Sequence, residues 1–91
     1  MIVEFAKSFD DRYQALPQAL QTKCRAAIEE FLNAYQSQKF PKGLRVHKCG
    51  PFLSVSFTMR HRIFVYPIRG GIKFAFVGDH QEMERYLKRK G

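Results

Sequence analysis

The chain has 91 residues, below the usual domain size of about 100–150, so one domain over residues 1–91 with a single core is expected, and a two-lobed cofactor enzyme is not. Hydrophobic residues make up 45% of it, with nine Phe and four Tyr, which excludes a disordered polyelectrolyte. Sixteen Lys and Arg against eight Asp and Glu give +8 at pH 7, a balance that favours a polyanionic partner such as nucleic acid or an acidic protein.

That charge is not evenly spread. From Phe31 to Gly78 there is no carboxylate, while Lys39, Lys42, Arg45, Lys48, Arg60, Arg62, Arg69 and Lys73 fall in the same stretch; the flanking segments are nearly neutral. A long carboxylate-free basic run among apolar strand residues is the footprint expected of phosphate binding. No apolar run approaches the roughly 20 residues of a membrane-spanning helix. Glu4 and the polar residues after it do not make a secretory signal, so the chain is expected in the cytoplasm and away from membranes. Cys24 and Cys49 are isolated, with no CxxC and no zinc-like spacing, and are expected as buried or half-buried thiols without a metal or other cofactor.

In chain order, Met1–Phe5 is rich in Ile, Val and Phe and predicts a first strand. Ser8 is placed as the N-cap of a short helix with Phe9, Tyr13 and Leu16 on one face, ended by Pro17. Leu20, Cys24, Ala27, Ile28, Phe31, Leu32 and Tyr35 recur at three- and four-residue spacing, the apolar stripe of a second helix packed on a sheet. After Pro41–Gly43 the period shifts to two. A strand through Arg45–Lys48 leads to Phe52–Met59, where Leu53, Val55, Phe57 and Met59 share one face and Phe52, Ser54, Ser56 and Thr58 the other. That second face is expected to stay open to a ligand. Arg62–Ile68 and Ile72–Val77 complete a meander around the Arg69–Gly70–Gly71 turn, and Gln81–Lys90 reads as a charged C-terminal helix. The fold class is α+β, with two helices on one face of an antiparallel sheet.

This order, with the Leu16–Pro17 break, Gly43-Leu44-Arg45-Val46-His47-Lys48, Arg62-Ile63-Phe64 and Val77-Gly78-Asp79-His80, resembles the RelE/ParE superfamily of bacterial type II toxins over nearly the whole chain. The resemblance implies a toxin paired with a cognate antitoxin. Its most frequent activity would be a metal-independent, ribosome-dependent endoribonuclease that cuts mRNA and stops translation. The alternatives are a ParE-type inhibitor of DNA gyrase, which needs no acid or base, and a nucleic-acid-binding homologue without turnover.

Cleavage through the 2′-hydroxyl requires a base, compensation of charge on the pentavalent phosphate, and an acid for the leaving 5′-oxygen. Arg62 matches the arginine that opens this strand in the family's nucleases, and its guanidinium suits the phosphate oxygens. His80 stands where several of them place a histidine, with Asp79 beside it as the helix cap. By the same resemblance His47 is the candidate base and Arg45 and Lys48 position phosphate; alternation puts Arg45 and His47 on one face and Lys48 on the other. Arg60 and His61 extend the basic patch as a turn. Many relatives carry a tyrosine three residues after the histidine; Met83 stands there, and Tyr86 is the candidate for base stacking. The stripe of Phe64, Tyr66, Phe74 and Phe76 is expected as core under the helices.

Overall fold

A computed structural model describes residues 1–90. The elements run β1 (Ile2–Phe5), α1 (Lys7–Ala15), α2 (Gln18–Ser37), β2 (Arg45–Cys49), β3 (Phe52–Ser56), β4 (His61–Ile68), β5 (Gly71–Asp79) and α3 (His80–Lys90). The five strands form one sheet in the order β1-β5-β4-β3-β2. The α1–α2 crossover carries the chain from β1 to the far edge, and the meander then walks back until β5 meets β1.

The sheet is therefore not wholly antiparallel. Three hairpin steps fix the direction of β5, and β1 pairs with it in parallel, Ile2 opposite Gly71 and Phe5 opposite Phe74. Gly71 is required at this pairing, because a Cβ there would run into the backbone carbonyl of Ile2. Gly70, at φ +81°, makes the β4–β5 turn in a conformation that favours glycine.

Pro17 precedes the first turn of α2, and its carbonyl accepts from the Leu20 and Gln21 N–H groups. The N-cap of α1 is Ala6, not Ser8. Ser8 lies inside the helix, and its hydroxyl donates to the Ala75 carbonyl at 2.5 Å, satisfying a β5 group beyond the reach of the shorter β1.

One face of the sheet carries Val55, Ile63, Val65, Ile72, Phe74 and Val77 against Phe9, Cys24, Ala27, Phe31 and Ala34 of the two helices. Phe74 is the hub, its ring 5.1 Å from Phe5, 5.9 Å from Phe9 and 6.2 Å from Phe31. The other face is not open as expected, since α3 lies across much of it. Phe52, Phe64, Ala75, Phe76 and Met83 form a second core there, with Tyr66, Tyr86 and Leu87 packed around it. The aromatic stripe is thus divided, with Phe74 under α1 and α2 and Phe64, Tyr66 and Phe76 under α3. The strand expected to reach Met59 ends at Ser56, and Met59 projects into solvent at 95% exposure.

Candidate functional site

The hairpin registers place Arg45 opposite Ser56, Ser56 opposite Arg62, and Arg62 opposite Gly78. These four residues form one rung on the α3 side of the sheet. With strands about 4.8 Å apart, the two arginines stand about 10 Å from one another across a small hydroxyl. The next rung, His47–Ser54–Phe64–Phe76, begins the aromatic core that α3 covers. At the end of the sheet from which α3 departs, Arg45, Ser56 and Arg62 lie outside the core packed under that helix, whereas Gly78 is buried beneath Glu82.

The start of α3 borders this rung. Asp79 Oδ1 accepts the Glu82 N–H at 2.9 Å, and Glu82 Oε1 accepts the Asp79 N–H at 2.9 Å, a reciprocal capping box that bears out Asp79 as the cap. Glu82 also forms an ion pair with Arg12 of α1. Its side chain lies over Gly78, where an added Cβ would come within 2.9 Å of Oε1. The carboxylate nearest the Arg62 rung is thus engaged by Arg12 and the cap.

Arg62 is half-buried on the open rung. His80 opens α3 two residues after Gly78; it is exposed, and its Nε2 lies 3.2 Å from Glu84 Oε1 one turn along. His47 is exposed on the edge strand β2, on the same face as Arg45. β2 and β5 are three strand spacings apart, about 14 Å, so Arg62 sits between the two histidines. Lys48, opposite Leu53, points to the α1–α2 side, away from Arg45 and Arg62.

His61 starts β4 instead of lying in a turn; its Nδ1 is 2.9 Å from the Thr58 hydroxyl, and its ring is 5.7 Å from Phe57 on the α1–α2 side. Arg60 is exposed in the turn before it. The rung therefore carries Arg45 and Arg62, with His47 on the next rung of the same face and His80 two residues after Gly78 at the start of α3, while Lys48 and His61 lie on the other face.

Tyr86 is half-buried, its ring stacked on Phe76 at 4.4 Å and 6.2 Å from Phe64. Burial pushes its phenol pKa up; a hydrogen bond with Ser8 opposes the shift, and nearby Tyr66 adds to it. Met83, at 3% exposure, is part of the core that docks α3. Sequence reasoning did not place Ser56 and Gly78 beside Arg62, and it missed Glu82 and Arg12. The first two follow only from strand register, and the last two meet from distant helices, although Asp79 and Glu82 at three-residue spacing do carry a capping-box signal.

Among the described residues no cluster of His, Cys, Asp and Glu is arranged to hold a metal ion, and no helix is long and apolar enough to cross a membrane.

No protein-family model matches the chain, and no curated protein matches it. Solved structures do. A chain of the RelB–RelE antitoxin–toxin complex from Methanococcus jannaschii aligns with a TM-score of 0.69 at 19% identity, over 91% of this chain and 96% of that one. YafQ from E. coli strain BL21(DE3) aligns with a TM-score of 0.60 at 7% identity, over 90% of this chain and 96% of its own. The E. coli DinJ–YafQ complex gives a TM-score of 0.60 at 8% identity, with the same coverages. With its N-terminal strand, helix pair, meander and C-terminal helix, this chain has the RelE-like fold of those structures.

Proposed function

We propose that this chain is the toxin of a type II toxin–antitoxin pair, acting in the cytoplasm as a metal-independent endoribonuclease on mRNA in the ribosome. The observation that carries the reading is the Arg45–Ser56–Arg62 part of the rung, open beside the start of α3 in a RelE-like fold. Arg62 supplies guanidinium donors to the non-bridging oxygens as negative charge builds on the scissile phosphate. His80, on the β5 side, and His47, on the β2 side, are the side chains available for proton transfer to and from the 2′- and 5′-oxygens. Arg45 holds a neighbouring phosphate about 10 Å away. Lys48, Arg60 and His61 contribute to the field that draws RNA in, and Tyr86, half-buried against Phe76, is the candidate for base stacking. Glu82 leaves Arg62 available because its own charge is engaged by Arg12.

The partner is a cognate antitoxin whose acidic segment covers the same basic rung, as favourable electrostatics between opposed patches requires. The RelE neighbour was solved in an antitoxin–toxin complex, which supports this. The ParE-type gyrase inhibitor has no support among the matched structures.

Primer-extension mapping of mRNA in a translating extract tests the proposal. Discrete new cuts with wild type that disappear with Arg62→Ala are expected. Intact mRNA and unimpaired translation with soluble wild-type protein overturn it, and tight RNA binding without cuts identifies a homologue that lacks turnover.

A further inference from the structure

Where α3 faces α1, Arg12, Arg85 and Arg89 line one cavity of about 160 Å³, floored by Phe76 and Tyr86, with neither Arg45 nor Arg62 in its lining. Arg85 and Arg89 are one helical turn apart, a like-charge spacing that weakens a helix unless something else holds it. Among the described residues neither has a carboxylate within ion-pairing distance. The single carboxylate in the lining, Glu82, is engaged by Arg12 and by the Asp79 N–H. Arg12 has donors to spare, since its buried Nε–H finds no acceptor. Three arginines from two helices thus line one small volume with one carboxylate among them, against an aromatic wall of Phe76 and Tyr86.

We propose that this cavity binds a backbone phosphate of RNA, a second anchoring point separate from the Arg62 rung; the inference rests on the nucleic-acid reading above. The volume suits a tetrahedral oxyanion and not a nucleoside, and forked guanidinium donors match phosphate oxygens. Arg85 and Arg89 are exposed, so a free phosphate would be held weakly. A strand already engaged at Arg62 presents its further phosphates at high effective concentration, which makes a shallow site of this kind useful.

The test is fluorescence anisotropy of a labelled, fully 2′-O-methylated single-stranded RNA, which binds but offers no 2′-hydroxyl for cleavage, across a salt series. Wild-type chain is compared with Arg85→Gln/Arg89→Gln and with a control, Lys23→Gln/Lys88→Gln, whose lysines do not line the cavity. The arginine variant is expected to reduce the slope of log affinity against log salt by about 0.7, one phosphate contact on a single strand, with the control moving much less. An unchanged slope, an equal loss in the control, or no RNA binding by wild type overturns the inference. So does an equal slope change with polyglutamate as the probe, which marks a general polyanion surface. Inorganic phosphate that raises the melting temperature of wild type but not of the arginine variant, with the RNA slope unchanged, identifies a free-phosphate site instead. Because cleavage is not read, loss of the nuclease reading leaves this result intact; cuts in the extract with an unchanged slope refute the anchor alone.

Discussion

Replacing Glu82 isolates how α3 is attached. Its carboxylate closes the capping box with Asp79, pairs with Arg12, and lies over Gly78. Glu82→Ala removes the cap contact, worth about 1 kcal/mol. It also leaves the Arg12 guanidinium unpaired where its Nε–H already lacks an acceptor, a further cost of about 1–2 kcal/mol, moderated because the Arg12 side chain is 37% exposed. The expected loss is about 2–3 kcal/mol, or a fall of about 10–20 °C in melting temperature for a domain of this size. Glu82→Gln keeps an oxygen for the Asp79 N–H and loses only the charge, so it should cost about 1 kcal/mol. Far-UV circular dichroism melts at low and high salt separate the two parts, since the charge contribution shrinks with salt. A melting temperature for Glu82→Ala within about 2 °C of wild type, or an equal loss for both variants, refutes this account.

Three substitutions and one label probe the two cores. Phe64, at 2% exposure and stacked on Phe52 at 5.1 Å, should cost about 3–5 kcal/mol when cut to Ala, and a denaturant midpoint close to wild type would contradict that. Ser54 is 1% exposed and its hydroxyl has no partner, so Ser54→Ala should be neutral or stabilising; a clear loss in urea melts would reveal a bond that matters. Burial pushes the Cys24 thiol from 9.0 up to about 12, so iodoacetamide at pH 8 should label Cys49 alone until the chain unfolds, as peptide mass mapping can establish. The same shift links stability to pH: a raised thiol pKa stabilises the fold below pH 9, and the benefit is lost between about 9 and 12 as the unfolded chain ionises first. Cys24→Ala should flatten that decline in alkaline melts, and an identical slope would disprove the link.

The elements were legible because each carries its own period. The three- and four-residue recurrence through Cys24, Ala27 and Phe31 gives α2, and the alternation through Leu53 and Val55 gives β3. The burial of the second face was hidden by composition. Phe52 and Ser54 alternate with Leu53 and Val55 and look half polar, and the charges of α3 mask the Met83–Tyr86–Leu87 stripe that packs on that face. Arg45 and His47 could be put on one face by alternation alone. The Arg45–Ser56–Arg62 rung needs two hairpin registers: the Gly50–Pro51 turn sets Cys49 opposite Phe52 and so Arg45 opposite Ser56, and the β3–β4 pairing sets Ser56 opposite Arg62. Nothing local announces that Ile2–Phe5 pairs in parallel with β5, or that Arg12 reaches Glu82, because both are long-range choices of the whole chain.

That parallel pairing also sets a timetable. As the chain leaves the ribosome, β1 emerges first, yet Ile2 has no strand to join until Gly71 and the residues after it have followed. Two segments far apart in sequence are thus stitched together in one step, with a large loop closed. β5 and α3, which bring Gly78 and His80 to the Arg62 rung, arrive in the same step. A partly synthesised chain holds Arg45 and Arg62 without the wall beside them, so an interrupted translation product is a sheet with an open edge and an incomplete cleft.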